Sequence, residues 1–158
     1  MDAGAEERLK LFSVLHAVAD DHICLIDVDL STERETQFFL QGQDGAELPR
    51  WSDGMDYTSS ILSYAQMVVS PEDRERFIEA TRLPLLRATL AEQKEFFIEY
   101  DALVKERRRR FQGRFVLGER DGVQHIYVGI RDISATLRLE QRSREEAENA
   151  RYQHLLLS

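Results

Sequence analysis

Three strand patterns in immediate succession, the last running straight into a helix, limit what this chain can fold into. Residues 95–103 alternate, with Phe96, Ile98, Tyr100 and Ala102 on one face and Glu95, Glu99 and Asp101 on the other. Phe111, Phe115 and Leu117 share a face of a second strand, opposed by Arg110, Gln112 and Arg114. Asp121-Gly122 then supplies a strong hairpin signal, because both central positions of such a turn need positive φ. A third strand over 123–130 sets Ile126, Val128 and Ile130 against His125, Tyr127 and Arg131. Arg131-Asp132-Ile133-Ser134 follows, and no Gly or Pro interrupts the sequence after it. Consecutive strands joined by tight turns pair antiparallel, so this stretch predicts a sheet that hands over to a long helix.

Upstream, residues 6–19 read as an amphipathic helix, with Leu11, Val14, Leu15 and Val18 at helical spacing. Residues 22–30 read as a strand with Cys24, Ile26 and Val28 facing inward. Residues 34–40 form its hairpin partner, with Phe38 and Leu40 on one face. Residues 41–53 are a polar loop whose large anchor is Trp51. Ile61, Leu62, Ala65 and Val68 predict one or two short helices over 56–69. Ser70-Pro71-Glu72-Asp73 is a helix start: a capping hydroxyl, a proline suited to the first helical position, and acids at the positive end of the dipole. Phe77, Ile78 and Leu83 supply the buried side; Pro84 breaks or kinks the helix and 85–94 continues it. The fold class is α+β: five antiparallel strands, with helices inserted after the second.

From residue 20 to 134 that order resembles a PAS domain of the kind found in bacterial signalling proteins. Val69-Ser70-Pro71-Glu72-Asp73-Arg74 resembles the helix start of that branch, with Ser70 where a His is usual. Asp121-Gly122 fits its final hairpin. Val128-Gly129-Ile130-Arg131-Asp132-Ile133-Ser134 resembles its closing "vGxxrDIT" signature, with Ser134 for Thr. Asp101 stands where the branch usually has Arg, so the pair which that Arg makes is not carried over.

The resemblance divides the chain into an amphipathic helix (1–20), a PAS domain (21–134) and a signalling helix (135–158) leading to an output domain. It implies a pocket between the sheet and the helical insert, for which Cys24, Ile26, Phe38, Leu62, Phe96, Ile98, Tyr100, Phe115, Ile126 and Val128 are the candidate lining residues. All of these serve equally well as ordinary core, and no cofactor is named by them. It also implies that Arg131, Asp132, Ile133 and Ser134 couple the sheet to the helix that leaves it. That helix is highly charged, with few apolar points, so it needs a partner. A homodimer through the terminal helices is expected, with Leu11, Leu15, Val18 and Leu137 in contact. The expected function is sensory, with a diguanylate cyclase (GGDEF) as output and a histidine kinase as second choice. The alternative is a dimerisation module with a filled core and no ligand.

Enzyme chemistry needs converging groups. His16, His22, His125 and His154 are scattered, none is at metal-ligand spacing from Cys24, and no phosphate loop or nucleophile–base set stands out, so this segment is expected to carry no catalysis and no metal. Cys24 reads as an inert, buried thiol. Arg107-Arg108-Arg109-Arg110 could bind an anion or an acidic surface; the preferred reading pairs the run with Glu95, Glu99 and Asp101 across the sheet. A net charge of −8 argues against nucleic-acid or anionic-membrane partners. One cysteine, no long apolar run and no signal-peptide pattern lead to the expectation of a soluble, cytoplasmic protein.

Overall fold

The computed structural model describes residues 22–39 and 55–157. The helix expected at 6–19, with Leu11, Leu15 and Val18, and the loop carrying Trp51 lie outside the described residues. The elements are β1 (His22–Asp29), β2 (Arg34–Phe39), α1 (Tyr57–Met67), α2 (Pro71–Thr81), α3 (Leu83–Gln93), β3 (Glu95–Val104), β4 (Arg107–Arg120), β5 (Val123–Asp132) and α4 (Ser134–Leu157). The five strands form one antiparallel sheet in the order β2-β1-β5-β4-β3. Two strands, a helical insert and three strands thus occur as the sequence predicts.

Local chemistry explains the boundaries. Asp121 and Gly122 both have positive φ (53° and 77°), as their hairpin turn demands. The β3–β4 hairpin turns through Lys105 and Glu106, also at positive φ (51° and 65°), although neither is a residue that favours it. The Asp56 side chain accepts from the Ser59 amide and caps α1. At α2, Ser70 makes no such side-chain cap; its carbonyl accepts from the Asp73 amide instead. Pro84 lies in the first turn of α3 rather than within a kinked helix, since its missing N–H costs nothing there.

The core fills the space between the three inserted helices and one sheet face. Tyr57, Tyr64, Phe77, Leu86 and Leu90 meet Cys24, Ile26, Val28, Tyr100, Phe111, Phe115 and Ile126. Phe77 and Tyr100 pack at 4.8 Å between ring centroids, and Tyr64 meets Tyr100 edge-on at 6.1 Å. β1 is buried on both faces, because Leu25 and Asp27 are covered as well as Cys24 and Ile26. The Asp27 carboxylate is compensated by His125, 2.7 Å from its Oδ1, and by Arg120 at 3.5 Å.

The insert is stitched to the sheet edge through β3. The Ser70 amide donates to the Asp101 carbonyl and the Leu103 amide to the Val68 carbonyl, each at 2.8 Å. In return the Asp101 amide donates to Asp73 Oδ2 at 2.7 Å. That bond, with Arg76 and Arg110 nearby and partly offset by burial, holds the Asp73 carboxyl below the usual carboxylate range. A depressed folded-state value stabilises the fold fully above the unfolded value of about 4, and the contribution disappears as pH falls through the folded one. Asp73→Asn is expected to lower unfolding free energy by about 1 kcal/mol at pH 7. Urea titrations at pH 7 and pH 3 check it, with the gap between variant and parent narrowing at the lower pH.

Candidate functional site

Two places in the fold gather the candidate side chains: the space under the helical insert, and the corner where β5 becomes α4. Under the insert, Ile26, Tyr100, Phe115 and Val128 line a residual cavity. Its volume is about 10 Å³, the size that one water molecule needs. Cys24, Ile98 and Ile126 are buried in the surrounding core without facing it. Phe96 is half-buried against Phe115, at 5.9 Å between centroids. Leu62 departs from expectation: it is 43% exposed, and Tyr57, Ser60, Ile61 and Tyr64 hold the inward positions of α1. The β2 register is the second departure. Gln37 stands opposite Ile26 and Glu35 opposite Val28, while Phe38 stands opposite Leu25, off the cavity register; its side chain is outside the described part.

The inward face of β2 is therefore polar. The Ser60 hydroxyl donates to the buried Glu35 carboxylate, and Gln37 Nε2 donates to the same carboxylate at 2.6 Å. Tyr57 donates to the Thr81 carbonyl at 2.6 Å, and the Tyr64 and Tyr100 hydroxyls share a hydrogen bond. Burial pushes all three phenols well above their ordinary range. Burial, then the Glu35 charge, does the same to the Cys24 thiol, which stays protonated and unreactive. Among the described residues no group of His, Cys, Asp and Glu has the arrangement of a metal site, and no helix is long and apolar enough to cross a membrane.

At the corner, Asp132 holds two partners at once. Its Oδ1 accepts from the Ser134 amide at 2.9 Å, and its Oδ2 pairs with Arg109 at 2.8 Å. The Ser134 hydroxyl accepts from the Arg110 amide at 2.8 Å. The Ile133 amide donates to the Arg110 carbonyl at 2.9 Å, so one residue of β4 grips the junction through both of its backbone groups. Arg131 donates from Nε to Gln112 at 2.8 Å on the neighbouring strand. Ile133 is buried and Leu137 half-buried, and beyond them α4 leaves the sheet with Leu139, Tyr152, Leu155 and Leu156 exposed.

The arginine run divides by strand parity. Arg108 and Arg110 pair with Asp101 at 2.9 and 3.0 Å, and Arg110 lies 3.9 Å from Glu99, as expected. Glu95 pairs instead with Arg114. Arg109 points to the other face and takes Asp132, a pairing that strand alternation allows and the sequence reading omitted.

No protein-family model matches the chain, and no curated protein matches it. Solved structures are similar in fold. The N-terminal domain of a diguanylate cyclase with PAS/PAC sensor from Marinobacter aquaeolei is 17% identical (TM-score 0.45), over 72% of this chain and 96% of that one. The PAS domain of Bordetella pertussis BvgS is 16% identical (TM-score 0.48), over 90% and 98%. An RNA-binding light-oxygen-voltage receptor is 14% identical (TM-score 0.49), over 79% of this chain but only 35% of the receptor. The sheet order and the position of the insert decide the architecture. The fold is a PAS fold.

Within this PAS fold the cavity's hydroxyl pair is a test of core design. Tyr64→Phe strands the buried Tyr100 hydroxyl and is expected to cost about 1–3 kcal/mol. Adding Tyr100→Phe is expected to recover part of that loss, since two methine edges replace a broken pair. Denaturant titrations of the single and double variants measure the coupling.

Proposed function

We propose that this chain is a sensory, regulatory PAS domain of a bacterial signal-transduction protein, acting in the cytoplasm and carrying no catalysis of its own. Two copies pair through their terminal helices, and α4 transmits the state of the sheet to an output module. A diguanylate cyclase (GGDEF) is the first choice for that output and a histidine kinase the second.

The observation that carries this reading is the double engagement of Asp132. One carboxylate oxygen holds the first amide of α4 and the other holds Arg109 on β4, so the helix cannot shift without disturbing the sheet. An input that biases β4 against β5 would therefore select between two positions of α4. The cavity of about 10 Å³ favours a second reading, a dimerisation module with a filled core, and it also directs the search for an input away from the centre of the fold.

Asp132→Ala is expected to leave sheet content and dimerisation unchanged while abolishing the dependence of output on stimulus in the full protein. Coupling that survives the substitution overturns the reading. Sedimentation of the 158-residue chain is expected to report a dimer, and removal of residues 139–158 a monomer.

A further inference from the structure

Beside the junction lies an open groove far larger than the internal cavity. Arg107, Arg108 and Arg109 from the start of β4, with Ser134 and Arg138 from the start of α4, enclose about 340 Å³. That is within the range of small-ligand sites, roughly 300–1,000 Å³. Every lining residue is polar, so the groove lacks the aromatic or aliphatic anchors that protein partners use.

Its charge does not balance. Arg109 is matched by Asp132 at 2.8 Å, and Arg108 by Asp101 at 2.9 Å and Glu72 at 3.5 Å. Arg107 and Arg138 are both exposed, and neither makes an ion pair among the described residues. In a chain of net charge −8, two guanidinium groups without an ion pair among the described residues thus face one concavity from different elements. A single carboxylate would satisfy one of them. Two planar forks, one from the start of β4 and one from α4, match an anion with at least two charges and several oxygens, and phosphate oxygens suit the bidentate geometry of arginine. The positive end of the α4 dipole adds in the same direction.

We propose that this groove binds a small phosphorylated metabolite carrying at least two negative charges, held between Arg107 and Arg138. The ligand ties β4 to the first turns of α4, beside the bond that Asp132 already makes. Its regulatory meaning rests on the coupling role proposed above; its binding does not.

Calorimetric titration of the whole chain with pyrophosphate at low and at physiological salt tests the site. One pyrophosphate per chain is expected. Arg107→Ala and Arg138→Ala are each expected to weaken binding at least about tenfold, the loss of one charge-assisted contact, without altering thermal unfolding of the free protein. Arg114→Ala, which removes an exposed arginine outside the groove, is expected to change affinity less than about twofold. Absence of binding at millimolar pyrophosphate overturns the proposal, as does an equal loss in all three variants. Tighter binding of a hexaglutamate peptide than of pyrophosphate overturns it too, in favour of a protein partner. Pyrophosphate that binds without altering output leaves the site standing and overturns only its regulatory role.

Discussion

The architecture depends on β5 lying between β1 and β4. The last strand of the sheet hydrogen-bonds the first along one side and the penultimate along the other, setting Val128 opposite both Ile26 and Phe115. Without that strand, β1 and β2 would be a separate hairpin, and isolated hairpins are marginal in water. β5 is both the central tie and the strand from which α4 departs, so the helix start continues the backbone of the strand that joins the two halves of the sheet.

Charge is used on the two sheet faces in different ways. Around β3 and β4, Arg108, Arg110 and Arg114 pair with acids at exposed or half-exposed positions, where each pair contributes little by itself. Arg109 and Asp132 are 12% and 15% exposed, and there the loss of one partner leaves a charge that water reaches poorly. The same logic holds at Asp27, whose neighbours His125 and Arg120 make a buried carboxylate tolerable on a strand covered from both sides. The sequence run of four arginines is therefore several environments, and Arg107, which lines the groove with Arg138, makes no ion pair among the described residues.

Legibility followed the strength of the local signal. Residues 95–134 were readable because apolar alternation and Asp121-Gly122 agree on period and turn, so the order of strands and the exit into α4 emerged together. Parity failed on β2. Hydrophobicity selects Phe38, yet the residues facing the core are Glu35 and Gln37, whose burial is made affordable by Ser60 on a helix more than twenty positions away. A register error of one residue exchanges the two faces of a strand, and no local pattern reveals a distant hydroxyl. Leu62 was misplaced for a related reason: Tyr57, Ser60 and Tyr64 continue the inward stripe of α1, and counting only aliphatic residues rotates that stripe. The Lys105–Glu106 turn has no sequence signature at all, since long strands on either side impose it.

His22 pairs with Arg131, so the two strands that bound the sheet's chain path begin and end side by side. Tension applied between those neighbouring ends acts across the ladder rather than along it, and would open its bonds one after another like a zip. Traction on the flanking segments would thus be met first at the joint between β1 and β5, leaving the β3–β4 hairpin to yield later.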